Sequence, residues 1–420
     1  MEDYSQILNI AIPIFFGLIL IEWGVGYWMG KKVLRSFDTI ASLSSGVTNV
    51  TKDVLGLAVV IVSYDWMVSN LAIFHIESTI IVYVLAFIGI DFAGYWSHRF
   101  EHEVNILWNR HIIHHSSEEY NLACALRQNV SAIFAVFFFL LIPLALIGVP
   151  AQVITVLAPL HLFAQFWYHT RLIDKMGFLE NVIVTPSHHR VHHAINDEYL
   201  DKNFSQIFII WDKLFGTFQE ELASTPAVFG VKKQVNTWNP FIINYQHFWL
   251  LVTDAWYTTK WWDKVRVFFN RTGWRPADRI AAAPIVIIED PYSVEKYDTR
   301  ASKSFNLWMW LQLVVIVALA LYLFSQLSTM GTLSIVLYGL FVMINIFAYT
   351  SLMDRSILGP IFSAITLVLV SAIMYVNSGW ITLSATLSTL VLGFYFVSLL
   401  VSIYFMKTEP LEPQAEVSFG

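Results

Sequence analysis

The chain alternates between long hydrophobic runs and shorter polar segments. A helix needs about 20 apolar residues to cross the hydrocarbon core of a bilayer, and about nine runs approach that length. An early group comprises Ile10–Trp28, Val54–Ile76, Thr79–Trp96, Ser131–Val149 and Ala151–Tyr168, and a late group comprises Phe305–Phe324, Thr332–Tyr349, Ile357–Tyr375 and Ile381–Phe405. The pattern predicts an all-α fold, a polytopic membrane bundle of about nine hydrophobic segments.

The fourth and fifth runs are separated only by Pro150. Because a proline disfavours helical backbone at the residue before it, we predict a tight helical hairpin here. The hairpin either crosses the membrane fully or re-enters and leaves on the same side, and the sequence leaves both arrangements open.

A mixed segment from about Arg171 to Ser304 lies between the two hydrophobic groups. It contains turn-rich stretches such as TPSHHR, NDEYLDKN and RTGWRPADR, which are typical of a water-facing region with amphipathic helices. We therefore divide the chain into N-terminal spans (residues 1–77), a histidine-rich catalytic region (residues 78–304) and a C-terminal four-span bundle (residues 305–420).

The composition supports a membrane protein. Of 420 residues, 56% are hydrophobic and only 13% are charged, far from the composition of soluble proteins. The net charge of −6 gives no reason to expect a nucleic-acid partner. Cys124 is the single cysteine, so an intramolecular disulfide is excluded and any metal must be held by nitrogen and oxygen ligands.

Basic residues near the span ends predict the orientation. Lys31, Lys32 and Arg35 follow the first run, and such residues favour the cytoplasmic side. Counting crossings from there puts the histidine-rich stretches on the cytoplasmic face. That face belongs to the endoplasmic reticulum in a eukaryote and to the inner membrane in a bacterium.

Histidines are the most informative residues of the chain. Eight of the 13 fall into three short patterns, one HxxxH and two HxxHH. Helix positions i and i+4 lie roughly 40° apart, and i and i+3 roughly 60° apart, so each pattern places imidazoles near one another. Eight or nine imidazoles exceed the needs of one metal ion, and we predict two ions. The candidate ligands are His98, His102, His111, His114, His115, His189, His192 and His193, with His188 as a ninth. The competing interpretation is a set of ordinary polar residues at a membrane interface.

A carboxylate inside a hydrophobic run adds a candidate. Asp91 precedes His98 by seven residues and shares nearly the same helical face. A carboxylate within a span is costly and usually has a partner. We predict that it accepts a ring N–H of His98 or His102 and so orients that ligand; the alternative is contact with a neighbouring helix or water.

Two further residues extend the candidate site. Glu103 follows directly after His102. Its functional role would be that of a metal ligand, of a hydrogen-bond acceptor for a metal-bound histidine or of a proton carrier. The competing interpretation is a solvated surface glutamate. His169 ends the fifth run and points to the same face, so we expect an additional ligand there. His161 lies about two turns deeper and is not expected to bind metal, and we leave His75 and His247 as structural.

Other catalytic motifs are missing from the sequence. No GxSxG, P-loop or GxGxxG is present, so covalent hydrolysis and nucleotide binding have no support. The absence of HExxH disfavours a zincin metalloprotease.

Taken with the membrane scaffold, the three histidine patterns resemble the fatty acid hydroxylase/sterol desaturase superfamily. The stretches HRFEHEVNILW, HHSSEEYNLACALRQ, QFWYHT, TPSHHRVHH and DKNFSQIFIIWDKLFGTF are similar to its alkylglycerol monooxygenase branch, and the likeness runs from about Asp91 to Arg279. It implies two non-haem iron ions held by the eight histidines of the three patterns together with His188, and Glu103 as the motif glutamate. It also implies O₂ and tetrahydrobiopterin, with hydroxylation of the ether carbon of O-alkylglycerol lipids to give a fatty aldehyde and a glycerol. No pterin site is identified, and the electron donor is open.

Two alternatives remain at this point. The first is another di-iron lipid hydroxylase or desaturase that acts on a fatty acyl or sterol-like substrate. The second is a non-catalytic membrane protein that binds or transports metal. A transporter is expected to carry its ligands at mid-membrane depth in several spans, whereas these histidines cluster at one face.

Overall fold

The computed structural model describes residues 2–56, 63–130, 137–381 and 383–409. Within them the chain forms helices and no β-strand, only three isolated bridges, so the predicted all-α fold is confirmed. The α-helices, in chain order from α1 to α16, are Glu2–Trp28, Ser36–Val54, Tyr64–Leu71, Ile80–Glu103, Asn105–His115, Ile142–Ile147, Ala151–Phe163, Pro186–His192, Ile210–Phe215, Pro240–Tyr257, Asp263–Phe269, Ala277–Ala282, Lys303–Gln326, Thr332–Met353, Leu358–Asn377 and Ala385–Thr408.

Six helices among the described residues are long and apolar enough to cross a bilayer, which makes this an integral membrane protein. They correspond to the first and third predicted runs and to all four late runs. The count of about nine spans is not confirmed. The six are Asn9–Trp28, Ile80–Glu103, Lys303–Thr329, Thr332–Met353, Leu358–Asn377 and Ala385–Thr408.

The predicted span Val54–Ile76 is wrong in its boundaries. Helix α2 ends at Val54, and α3 has only eight residues; residues 57–62 lie outside the described part. Hydropathy misses α2 because its buried face carries serine, threonine and aspartate. These hydroxyls are satisfied inside the bundle, for example Ser42 donates to the Asp38 carbonyl at 2.8 Å and Thr51 to the Val47 carbonyl at 2.8 Å.

The chain must return across the membrane between α1 and α4. Glu22 near the end of α1 accepts the backbone N–H of Leu122 at 2.8 Å and contacts Thr170, beside the histidine-rich region. The end of α4 carries His98 and His102, so both helices run toward the same face. Helix α2 packs against α13 and α14 and is the candidate for the return path.

The chain turns at Gly148–Pro150, where the hairpin is predicted. A 3-10 turn (Phe137–Leu141) and α6 lead to Gly148, and α7 begins at Ala151; residues 131–136 lie outside the described part. Gly148 has φ +88°, and a Cβ there would lie 1.9 Å from the Phe74 carbonyl oxygen, so only glycine fits this turn. With 13 residues, α7 is too short to cross alone, which favours the re-entrant arrangement.

The largest hydrophobic core joins the four late spans to α1 and α2. Trp380, Tyr338, Phe341 and Tyr395 are almost fully buried in it, and their rings meet edge to face. This core holds the N-terminal helices against the C-terminal bundle, while the division into three sequence regions stays a prediction.

The segment between the two groups of spans forms a cap over the span ends. Its helix α10 starts beside the end of α14, where the backbone N–H of Trp238 donates to the Asp354 carboxylate at 2.8 Å. The loop after α11 meets the end of α4, where the Asn105 N–H donates to the Asn270 carbonyl at 3.0 Å. The cap is thus fixed to two spans that end on the same side.

Candidate metal centre

Four separate pieces of the chain deliver the histidines. Helix α4 ends at Glu103, and Val104 adopts extended backbone (φ −116°, ψ 121°) before α5 begins. This break turns α5 back so that its histidines face those of α4. The hairpin returns His169 to the same place, and the short helix α8 adds the last set.

Nine histidines form two groups, and the ring nitrogens within each group lie within 4.8 Å of one another. Nine of the ten predicted ligands are therefore brought together, although they come from positions up to 95 residues apart in the sequence. The five-histidine group is His98, His102, His111, His115 and His192, and the four-histidine group is His114, His169, His189 and His193.

Hydrogen bonds to backbone carbonyls fix two of the rings in the five-histidine group. A carbonyl can only accept, so His98 Nδ1 donates to the Phe204 carbonyl at 2.7 Å and His192 Nδ1 to the Lys202 carbonyl at 2.9 Å. A neutral imidazole with a proton on Nδ1 has a bare lone pair on Nε2. The His192 Nε2 atom is buried without a hydrogen-bond partner, and His98 Nε2 lies 2.9 Å from His111 Nε2.

The four-histidine group repeats this arrangement. His114 Nδ1 donates to the Arg127 carbonyl at 3.3 Å, and His169 Nδ1 donates to the Gln165 carbonyl at 3.0 Å. Their Nε2 atoms, both left bare, face each other at 3.2 Å. His189 Nε2 lies 2.9 Å from His169 Nε2 and 3.0 Å from His193 Nε2. Lone pairs this close repel, and a cation between them removes the repulsion.

The environment keeps these rings neutral. Burial, reinforced by neighbouring histidines, holds the pKa of several rings well below the ordinary value, and it lowers the pKa of His114 to about 3. Neutral imidazole is the form that binds a metal. The rings shifted well below the ordinary pKa are His111, His115, His169, His189, His192 and His193.

The buried carboxylate beside the site is Glu101, which sequence reasoning missed, whereas Glu103 lies outside both histidine groups. A second, exposed carboxylate, Asp201, comes within 3.6 Å of His102 Nδ1. Glu101 is 8% exposed and lies 3.3 Å from His111 Nδ1 and 3.2 Å from Arg110 Nε. Glu103 is 38% exposed and pairs with Arg99 at 2.9 Å. The helical periodicity contained the signal: Glu101 is at i+3 from His98, roughly 60° away, whereas Glu103 is at i+5, roughly 140° away.

Asp91 does not contact His98 or His102, so this part of the prediction is wrong. Its carboxylate accepts from His161 Nε2 at 2.8 Å, from Trp211 Nε1 at 2.8 Å, and from the backbone N–H groups of residues 207 and 208 at 2.9 and 3.0 Å. The stated alternative, a contact with neighbouring elements, is what occurs. Asp91 supports the site through the segment after Phe204, whose carbonyl orients His98.

His188 lies outside both groups. Its ring accepts the Thr185 N–H in a capping box and comes within 4.0 Å of Glu180. His247 donates from Nε2 to the Asn105 carbonyl at 3.1 Å, and so is structural, as expected.

A buried ion pair supports the four-histidine group. Arg127, whose carbonyl orients His114, donates through Nη2 to Asp38 at 2.8 Å and through Nε and Nη1 to Ser42 and Ser116. Both charged side chains are at most 3% exposed. The pair ties α2 to the segment after α5, and nothing in the sequence links residues so far apart.

A cavity of about 350 Å³ opens beside the five-histidine group. Its wall includes His102, His115 and His192, together with side chains from α10 and from the loop after α11. Its apolar part includes Ile112, Leu250, Leu251, Ile285 and Ile287.

The donor set suits two transition-metal ions. All nine convergent donors are imidazole nitrogens, which bind iron, zinc and copper. Most of them have the other ring nitrogen bonded to a carbonyl or close to a carboxylate, the usual arrangement around a metal-bound histidine. Within each group the facing Nε2 lone pairs would repel one another unless a cation lay between them. A buried group of this kind is expected where transition-metal ions bind.

A helical membrane scaffold with two histidine groups at its capped end is the arrangement expected of a membrane-bound protein that binds metal through histidines. In agreement, the profile of the fatty acid hydroxylase family matches residues 83–217, which include all nine histidines. No solved structure matches the chain.

The chain belongs to the alkylglycerol monooxygenase family. It is 38% identical to the alkylglycerol monooxygenase of Homo sapiens over 66% of this chain and 62% of the human one. It is 36% identical to that of Xenopus tropicalis over 72% and 67%, and 37% identical to that of Danio rerio over 66% and 61%. The matched part thus spans less than two thirds of the human and zebrafish proteins.

Proposed function

We propose that this protein is a membrane di-iron monooxygenase that hydroxylates the ether carbon of O-alkylglycerol lipids. The observation that carries the proposal is the pair of histidine groups with bare, mutually facing Nε2 atoms in a chain of this family. The products are a fatty aldehyde and a glycerol. We also propose that the histidine site faces the cytoplasm.

The reaction balances with O₂ and a two-electron reductant. One oxygen atom enters the C–H bond next to the ether oxygen, and the other leaves as water with two electrons and two protons from the reductant. The resulting hemiacetal breaks its C–O bond to give the aldehyde and the free glycerol hydroxyl. We propose tetrahydrobiopterin or another reduced pterin as the reductant.

The nine histidines would hold the two ions, five on one and four on the other. The chemistry that bound iron supplies is activation of O₂, which an unactivated carbon requires. The chain itself fixes the ring orientations: the carbonyls of Phe204, Lys202 and Arg127 each accept an Nδ1–H. Such outer contacts hold the donor atoms in place and raise ligand basicity.

The buried carboxylate Glu101 would have a positioning role. Placed 3.3 Å from His111 Nδ1, its carboxylate would attract that N–H and keep Nε2 directed into the five-histidine group. Arg110 partly balances its charge. We do not include Glu103 or His188 in the proposed machinery, because neither lies at the histidine groups.

The alternative of a different lipid substrate has one specific support. The matching domain profile is that of fatty acid hydroxylases in general, so the metal site by itself does not select an ether. A transport role is less well supported, because the ligands lie together at one end of α4 and in the cap.

One experiment tests the proposal directly. Purified protein from iron-supplied cells is analysed for iron per chain and then given a labelled 1-O-alkylglycerol with O₂, with and without tetrahydropterin. Two ions per chain and release of the labelled aldehyde are expected. Hydroxylation of a matched free fatty acid without any aldehyde from the ether would instead support the alternative, a hydroxylase that acts on a different lipid.

A further inference from the structure

One short piece of chain, segment 201–204, orients two histidines of the five-histidine group through its backbone. The Lys202 carbonyl accepts the His192 Nδ1 proton at 2.9 Å. Two residues further on, the Phe204 carbonyl accepts the His98 Nδ1 proton at 2.7 Å. Both ligands therefore depend on the conformation of the same four residues.

Side chains of the segment reach the same group. The Asp201 carboxylate comes within 3.6 Å of His102 Nδ1. The buried Phe204 ring packs against the rings of His98, His102 and His192, with centroids 5.2 to 6.0 Å apart. Three of the five histidines are thus in contact with segment 201–204.

The four-histidine group is supported differently. The carbonyls that accept from its rings belong to Arg127 and Gln165, which are 38 residues apart in the sequence. No part of segment 201–204 is among these acceptors. A change in the segment is therefore expected to affect one histidine group more than the other.

The backbone of the segment is strained at two positions. Asp201 and Asn203 both have φ +55°, in the left-handed region that residues with a Cβ seldom adopt. Aspartate and asparagine tolerate this region better than most residues. Strained backbone persists only where the surrounding structure holds it, and it is concentrated at functional sites.

Asn203 is the residue that holds the segment in this conformation. Its side chain is buried, and its Nδ2 donates to the carbonyls of His188 at 3.0 Å and Gln219 at 2.8 Å. Its Oδ1 accepts the Gln219 N–H at 2.8 Å, and its own backbone N–H donates to the Thr217 carbonyl at 3.0 Å. All these partners are backbone groups, so Asn203 acts on the site through chain position and not as a ligand.

A second buried residue fixes the segment on its other side. The Asp212 carboxylate accepts the backbone N–H groups of Phe204 and Ser205, each at 2.8 Å, and the Thr217 hydroxyl at 2.6 Å. The Lys202 carbonyl precedes Asn203 and the Phe204 carbonyl follows it. Rotation of the backbone at Asn203 would therefore turn the two acceptors relative to each other, while Asp212 keeps Phe204 in place.

We propose that Asn203 is a positioning residue for the metal ion of the five-histidine group. It holds segment 201–204 in the conformation that directs the Nε2 atoms of His98 and His192 toward the ion. The inference rests on the proposed metal binding and adds that the affinity of one of the two ions depends on this segment. Asparagine suits the position because it tolerates the left-handed region and offers both a donor and an acceptor; glycine lacks the side chain, and an ionised aspartate lacks the donor.

The test is titration of the full-length, metal-free protein with Co²⁺, without O₂, reductant or substrate. Co²⁺ binds to imidazole, and its visible spectrum reports the geometry of its ligands. The two groups are separated by background: His189→Ala removes a donor of the four-histidine group, and His98→Ala removes one of the five-histidine group. In the His189→Ala background we expect Asn203→Ala to weaken Co²⁺ binding about 10- to 100-fold, as for loss of a group that orients a metal ligand, and to change the spectrum. In the His98→Ala background it should change neither.

Two further variants separate the backbone from the side chain. Asn203→Gly permits the left-handed backbone but lacks the three side-chain bonds, so it should weaken Co²⁺ binding less than Asn203→Ala. If Asn203→Ala does not fold, Asn203→Gly decides the question in the same assay. The matched control is Asn236→Ala, at an exposed asparagine that also has positive φ, +47°. It introduces a similar backbone strain away from segment 201–204 and should leave both groups unchanged.

Three results would overturn the inference. The first is unchanged Co²⁺ affinity and spectrum when Asn203 is replaced in the His189→Ala background. The second is equal weakening in both backgrounds, and the third is an equally large effect of Asn236→Ala. Failure of the proposed function would look different: the wild type would release no aldehyde from any ether, although Asn203→Ala still weakened the ion of the five-histidine group. A wild type that bound no metal would refute both.

Discussion

His114 Nε2 lies 3.2 Å from His169 Nε2, although 55 residues separate the two histidines. Each ring donates its Nδ1 proton to a backbone carbonyl, so the facing nitrogens carry lone pairs. This contact joins α5 to the end of the hairpin formed by α6 and α7. It makes the end of the hairpin part of the candidate metal centre.

The first prediction concerns the partition of the ligands. His189→Ala should lower the iron content from about two to about one ion per chain, because it removes one of only four donors in its group. The control is the adjacent His188→Ala, whose ring contacts Thr185 instead and should leave both ions bound. Metal analysis of the purified variants checks this, and equal iron loss in both would contradict the two-group assignment.

A second prediction separates two glutamates of the same short stretch. Glu101→Gln should reduce turnover by about 10- to 100-fold, as expected when the partner of a metal-bound histidine is lost. Glu103→Gln removes only a half-exposed pair with Arg99, usually worth about 1 kcal/mol or less, and should remain near wild type. Steady-state rates of both variants decide between them, and the reverse ranking would restore Glu103 as the functional carboxylate.

The third prediction concerns Asp91 as a structural support. In Asp91→Asn the new amide N–H₂ faces two N–H donors in place of an oxygen, and each lost partner costs about 1–3 kcal/mol. We expect a clearly lower temperature of inactivation, with the surface variant Asp65→Asn as control. An unchanged temperature would show that the bonds to His161 and Trp211 contribute little.

The buried pair of Asp38 and Arg127 gives a fourth prediction. Arg127→Met leaves Asp38 as an unpaired buried charge, and such changes cost about 3–5 kcal/mol. We expect loss of stability and of the ion in the four-histidine group, because the Arg127 carbonyl orients His114. Lys175→Met, which breaks an exposed pair with Glu220, should do neither. Iron content and thermal unfolding are the measurements, and identical behaviour of the two variants would refute the argument.

The fifth prediction tests the orientation in the membrane. In a Cys124→Ala background, a cysteine at exposed Glu198 in the cap should react with an impermeant reagent only from the cytoplasmic side. A cysteine at Ser325, at the other end of α13, should react only from the opposite side. Labelling of both positions from one side would be incompatible with the fold. If the cap position reacted only from the outer side and Ser325 only from the cytoplasmic side, the fold would stand and the proposed orientation would be wrong.

The sequence by itself determined the class of fold and most of the candidate ligands. Six of the nine predicted segments correspond to helices long enough to cross a bilayer, because a lipid-facing helix must be apolar over its whole length. Histidine spacings of three and four residues placed imidazoles on common helical faces whatever the fold. Nine of the ten predicted ligands converge in the structure, and His188, the exception, is one residue from a ligand.

Only the tertiary structure decided which residues share a metal group and which support it. Polar α2 is hidden from hydropathy because it packs inside the bundle, where its hydroxyl groups bond to its own backbone. Asp91 is hydrogen-bonded to His161 rather than to His98, because α7 and the segment after Phe204 pack around its carboxylate. The five-and-four division of the histidines depends on how α4, α5, the hairpin and α8 meet, and contacts between distant segments leave no local pattern in a single sequence.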